Sequence, residues 1–178
     1  MDAFEAVVAG LLTRRGYWVQ TSVKVELTKQ EKVEIGRASS PRWELDVVGY
    51  RGRDNELLVL DCKSFLDSVG VRLSEVAAPA PKSRYKLFTE PALRNVVLGR
   101  LRQQMVERGF CSDNPTIRLG MAAGRVKPGD SEALRQLFEQ NGWVLLDPES
   151  VRSELRELAD TGYENLVAAV VSKILLRK

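Results

Sequence analysis

The sequence predicts a mixed α/β domain, a central sheet with helices packed on it. Three observations carry this expectation. Apolar residues near the N-terminus recur at helical spacing. Two apolar, strand-like runs flank a polar turn at residues 51–55. After them, helix-period and strand-like segments alternate to the end of the chain.

Phe4, Val7, Val8, Leu11 and Leu12 fall at i, i+3, i+4, i+7 and i+8 and so share one helix face. Gly16, following Arg14 and Arg15, marks that helix's stop. Tyr17, Val19, Thr21, Val23 and Val25 alternate with more polar neighbours, as a strand does. Residues 28–41 are polar and contain Gly36, Ser39, Ser40 and Pro41, which predicts a loop in at least their second half. Trp43–Tyr50 and Leu57–Lys63 are strand-like. The segment Arg51-Gly52-Arg53-Asp54-Asn55 between them is turn chemistry, so the two runs form a β-hairpin. Residues 66–86 hold Gly70, Pro79 and Pro81 and predict a long irregular segment with at most a short helical turn. Thr89 is expected to cap a helix with Pro91 in its first turn, ending at Gly109 and apolar at Leu93, Val97, Leu101 and Met105. Thr116–Ala122 reads as a strand. Ser131–Gln140 reads as a helix capped by Asp130 and stopped near Gly142. Trp143–Leu146 reads as a short strand, and a helix starts near Pro148. Tyr163–Lys178 closes the chain as a strongly apolar helix with a basic end.

All 178 residues fit one domain, with a core over about 1–147 and a C-terminal helical extension over about 148–178. No internal repeat or linker is evident. The extension is apolar on more than one side at Leu166–Val171 and Ile174–Leu176, as expected of a buried helix or a dimer interface. Trp18 and Trp43 are expected in the core or at its edge.

Composition excludes several chemistries. No apolar run approaches the ~18 residues of a membrane span. Met1-Asp2-Ala3-Phe4-Glu5 is acidic where a signal peptide would be basic. Two cysteines, Cys62 and Cys111, make no disulfide framework, which fits a reducing cytoplasm. The chain has no histidine, which removes Cys/His zinc sites and the Ser–His and Cys–His nucleophile pairs. Acid–base work therefore falls to carboxylates, lysine or metal-bound water. A net charge of +3 permits a nucleic-acid partner without demanding one.

The hairpin carries the chemistry. In Asp61-Cys62-Lys63 the carboxylate and the ammonium lie two residues apart and so on one strand face. A turn centred between Arg53 and Asp54 places Asp46 directly opposite Asp61, with Cβ atoms roughly 4.5–5.5 Å apart. Glu44 is the weaker competitor, since it lies two residues further along β-register from that partner. Phosphodiester hydrolysis needs a nucleophile from water and relief of negative charge at phosphorus, and a divalent metal supplies both. Mg²⁺ takes hard oxygen ligands, which Asp46 and Asp61 provide, with the backbone carbonyl of Cys62 as a third. Lys63 orients or deprotonates the attacking water, or steadies the developing charge. Arg42, Arg72, Lys82, Arg84 and Lys86 flank this site in sequence. In a nuclease they would hold phosphates without reading sequence; singly, each also suits an ordinary solvated surface.

This arrangement resembles the PD-(D/E)XK nuclease superfamily, the restriction-endonuclease-like fold. In that family a strand Asp is followed, across a hairpin, by (D/E)-X-K; the matching residues are Asp46 and Asp61-Cys62-Lys63. The resemblance covers the first two-thirds of the chain by element order. It implies a metal-site Glu on the first helix, matched by Glu5, and a Gln on the helix after the motif, matched by Gln103 or Gln104. Leu45 stands where many members have proline, and Cys62 replaces the usual aliphatic residue with its side chain facing the other way. The implied activity is Mg²⁺-dependent hydrolysis of phosphodiester bonds in DNA, with Mn²⁺ as a substitute and RNA left open, in repair, recombination or defence. A homodimer or a partner subunit would accompany it. Two alternatives stand beside this reading: a catalytically silent nucleic-acid-binding or assembly protein on the same fold, and an unrelated α/β protein whose Asp and Lys form surface ion pairs.

Overall fold

A computed structural model describes residues 2–37, 42–79, 83–162 and 166–176. Helix α1 spans Ala3–Arg14 and opens with a reciprocal capping box: Asp2 accepts the Glu5 N–H at 2.8 Å while Glu5 accepts the Asp2 N–H at 3.1 Å. Strand β1 is Trp18–Val25. A six-residue helix, α2 (Lys29–Glu34), then occupies the first half of the segment read as polar. Thr28 and Glu31 form a second capping box there, and that local signature outweighs the polar composition. Strands β2 (Trp43–Arg51) and β3 (Glu56–Lys63) form the hairpin, joined by a 3₁₀ turn at Gly52–Asp54 and by Asn55 in the left-handed region.

Two short helices, α3 (Leu73–Ala77) and α4 (Lys86–Thr89), lie in the region expected to be irregular. Thr89 does not cap the long helix: it ends α4, and its hydroxyl donates to the Tyr85 carbonyl. Helix α5 (Pro91–Glu107) starts on the fixed φ of Pro91 with Glu90 before it. Strand β4 (Thr116–Ala123), helix α6 (Ser131–Gln140), strand β5 (Val144–Leu146), helix α7 (Pro148–Asp160) and helix α8 (Val167–Leu176) follow. Asp130 holds the N-cap position of α6, as expected, but makes no side-chain bond to the helix; its carboxylate accepts the Leu73 N–H at 2.9 Å and ties α3 to α6.

The sheet order is β1-β2-β3-β4-β5, antiparallel across the first three strands and parallel across the last three. Strand β3 is central and covered on both faces, which is why Leu57–Leu60 is an unbroken apolar run. Leu58 and Leu60 pack with Val8, Leu11 and Leu12 of α1 and with Leu158 of α7. Leu57 and Val59 pack on the other face with Leu93, Val97 and Leu101 of α5. Each such leucine contributes about 1.5–3 kcal/mol by leaving water. These seven side chains clamp β3 from both sides and hold its C-terminal end, Asp61–Lys63, in a fixed place.

Trp18 is 84% exposed, which corrects its expected place in the core. It begins an edge strand, and β1 does not keep one face inward along its length: Tyr17 and Val19 pack on the α1 side, whereas Val23 and Val25 pack on the α5 side. Trp43 is half-buried against the α5-side core, as expected. No helix among the described residues is long and apolar enough to cross a membrane.

Candidate active site

The site forms where the hairpin opens. Pairing of β2 with β3 runs from Arg51↔Glu56 to Val47↔Leu60, which is the register expected from the turn. Continuing it makes Asp46 and Asp61 the next facing residues. The backbone ladder ends there, and the Cys62 N–H donates to the Asp46 carboxylate at 2.7 Å. Asp46 thus substitutes a side-chain oxygen for a strand carbonyl.

The ladder on the other side of β2 lapses at the same level. Pairing with β1 includes Thr21↔Val47 and resumes at Val23↔Leu45. Ser22, between them, has φ 53, a left-handed conformation that costs a non-glycine residue on the order of 1–3 kcal/mol. Buried faces switch at this point in both strands, since Leu45 packs on the α5 side and Val47 on the α1 side. This break lets Asp46 turn out of the sheet toward β3. Plain alternation of apolar residues did not reveal it; a serine amid strand-formers was the one local signal.

Lys63 Nζ lies 2.5 Å from Asp61 Oδ1, with both side chains largely buried. It also lies 3.5 Å from the Cys62 carbonyl oxygen, so the ammonium, that carbonyl and the Asp61 carboxylate share one corner. Burial pushes the Asp61 carboxyl up to about 7; Lys63 opposes the shift and the neighbouring Asp46 adds to it. With both acids ionised, their mutual repulsion is what a divalent cation would relieve. The donor set is also right in kind: two carboxylates and a backbone carbonyl, all hard oxygens, suit Mg²⁺ or Mn²⁺.

Cys62 points to the opposite face and packs with the α1-side core. Its thiol is pushed up strongly by burial and then by Asp46, Asp61 and Glu5, which makes it an inert packing group rather than a nucleophile. Glu5 is therefore near enough to act on Cys62, but its carboxylate serves the α1 capping box. Among the described residues, no set of three or more acidic or cysteine side chains is gathered as a metal cluster, so Glu5 does not complete a triad with Asp46 and Asp61 in this arrangement.

The two aspartates open into a cleft of about 240 Å³. Arg84 and Lys86 line it together with Ser83, Trp43 and Glu44, so the structure brings two of the expected cations to the site. Arg72 lines an adjoining cleft with Arg84. Arg42 is exposed at the start of β2, and Lys82 lies outside the described residues. Gln104 is corrected: it is 5% exposed, its amide donates to the Lys24 carbonyl at 2.9 Å and accepts the Glu26 N–H at 3.2 Å. It pins α5 to β1 and has no face for a nucleic acid. Gln103 sits on the α5 surface between Arg100 and Glu107, away from the cleft lining.

Sequence reasoning passed over the part played by Tyr85. This side chain is buried, and its hydroxyl has no hydrogen-bond partner among the described residues. Burial pushes the phenol up to about 12, with Glu75 and Asp61 adding to the shift. A buried unpaired hydroxyl costs about 1–3 kcal/mol.

Searches against protein-family models, characterised proteins and solved structures return no match to this chain.

Proposed function

We propose that the chain is a Mg²⁺-dependent nuclease that hydrolyses phosphodiester bonds in DNA, built on a PD-(D/E)XK, restriction-endonuclease-like core. One observation carries the reading. The hairpin register, continued one pair past Val47↔Leu60, sets Asp46 against Asp61, with the Cys62 N–H on Asp46 at 2.7 Å and Lys63 on Asp61 at 2.5 Å. Carboxylates further apart than about 8 Å could not share one metal.

Asp46, Asp61 and the Cys62 carbonyl would hold the ion, which supplies Lewis-acid relief of charge at phosphorus and an acidified water. Asp61 must give up its proton to take that role, and Lys63 favours the ionised form. With Asp61 engaged, Lys63 Nζ is released from a one-to-one ion pair and can orient the attacking water or steady the equatorial oxygens. Arg84 and Lys86 hold flanking phosphates and so fix the strand in the cleft. Glu5 contributes negative potential from the α1 side.

The test is cleavage of single-stranded, duplex and branched DNA while Mg²⁺ or Mn²⁺ is titrated. Metal-dependent cutting that Asp61→Ala and Lys63→Ala abolish establishes the reading. DNA binding without metal binding or cutting would instead establish the silent assembly protein on the same fold.

A further inference from the structure

A second, larger cleft of about 900 Å³ adjoins the Asp46–Asp61 cleft. Ser83 and Arg84 line both, so the two share a wall. Phe65, two residues beyond Lys63, supplies an aromatic surface, and the Arg84 guanidinium stands 5.7 Å from its ring centre. Val69 and Pro79 make the lining largely apolar, while Arg72 and Arg84 against Glu75 leave it net positive. Tyr85, 1% exposed and with its hydroxyl unpartnered among the described residues, lines the cleft as well.

The cleft is anchored to the sheet. Val71 N–H donates to the Arg125 carbonyl and Lys127 N–H to the Val71 carbonyl, both at 2.9 Å. Arg125 also donates to the Leu66 carbonyl at 3.2 Å. Gly70 has φ +96, and a Cβ there would lie 2.8 Å from the Arg125 backbone, so only glycine allows this close approach. Phe65 itself has φ 43, which turns the chain out of β3 and aims the segment along the cleft.

We infer that this cleft takes one unpaired nucleotide of a DNA strand whose neighbouring phosphate lies at Asp46 and Asp61, so that the preferred substrate carries a single-stranded segment at the point of cutting; this rests on the nuclease reading. The volume is far larger than a phosphate needs and falls in the range of sites for small organic ligands. Its chemistry is that of a base-stacking site, an aromatic face with a guanidinium beside it and a positive rim for the backbone. Bases in an intact duplex reach such a site only after unstacking and unpairing, and an overhang or flap avoids that cost.

The test uses the full chain and two oligonucleotides of one sequence, a blunt duplex and the same duplex with a single-stranded extension carrying 2-aminopurine. Binding is read without divalent metal and cleavage with Mg²⁺. The expected result is quenching of the 2-aminopurine, with the extended substrate bound and cut about tenfold better than the blunt one. Phe65→Leu, which keeps the apolar bulk, and Arg84→Gln, on an exposed position that does not threaten folding, should each lower that ratio by about fivefold. Equal handling of both substrates, or a ratio that neither variant changes, overturns the inference; cleavage of the blunt duplex then leaves the nuclease reading standing. Quenching that depends on Phe65 with no cleavage of any substrate keeps the nucleotide site and overturns the hydrolytic reading.

Discussion

The two ends of one hairpin treat buried charge in opposite ways. At the turn end, Glu56 is buried but surrounded: the Tyr17 hydroxyl donates to it, Arg51 lies 3.3 Å away and Arg118 3.5 Å away. Arg51 also pairs with Asp54 at 2.5 Å and lies over the Tyr17 ring. At the open end, Asp61 has one cation, a second acid beside it and enough burial to raise its pKa to about 7. The first cluster closes on itself and locks the turn. The second sets two neighbouring acids at the mouth of a cleft, with Lys63 on Asp61 and Arg84 and Lys86 along the lining. The same residue types thus do structural work where their partners suffice and are available for chemistry where they do not.

Mutating each end should separate these roles. The largest effect is expected from Asp61→Ala, which should lower Mg²⁺-dependent cleavage about 10³-fold, or about 4 kcal/mol of transition-state stabilisation, with Lys63→Ala and Asp46→Ala close behind. Urea denaturation should show little loss of stability for Asp61→Ala and Lys63→Ala, and a loss of about 1–3 kcal/mol for Asp46→Ala, because the Cys62 N–H loses its acceptor. Undiminished cutting by any of the three would remove that residue from the site. Glu56→Ala should do the reverse, costing about 1–3 kcal/mol of stability by leaving the buried Tyr17 hydroxyl without its acceptor and Arg51 with Asp54 alone, with cutting by the folded fraction intact. Gln104→Leu should cost about 1–3 kcal/mol, because the Lys24 carbonyl and the Glu26 N–H lose their partner, and should leave DNA cleavage alone. A cleavage defect without a stability defect would return Gln104 to the functional set.

The pH dependence of stability is the most diagnostic of the open end. Asp61 holds its proton in the folded chain up to about pH 7, whereas an unfolded carboxylate releases it near 4. Between those values the native state binds more protons than the unfolded one. Stability is therefore highest below about pH 4 on this account and falls as pH rises through 7, by at most ~1.4 kcal/mol per pH unit. Asp61→Asn should flatten that slope. Mg²⁺ affinity, measured by calorimetry, should climb through the same interval and level off above it, because the proton competes with the ion. A slope unchanged in Asp61→Asn would show that this carboxyl is not the group responsible.

Much of this was legible locally. The apolar periodicity of α1, the turn residues at 51–55 and the runs at 43–50 and 57–63 depend on neighbours in sequence, and so does the hairpin register that sets Asp46 against Asp61. Other features were hidden because distant segments create them. Trp18 is bare because the buried faces of β1 switch near Ser22, and Gln104 is buried because the end of β1 needs its amide. Burial raises Asp61 because helices from residues 86–107 and 131–140 cover that face of the sheet. The cleft beside it exists because Val71 is stitched to a loop more than fifty residues away. Short-range periodicity and turn geometry were enough to choose the strands, their register and the three residues at their end. Desolvation, the break in both ladders at Asp46 and the shape of the adjoining cleft depend on long-range packing, which no window of the sequence contains.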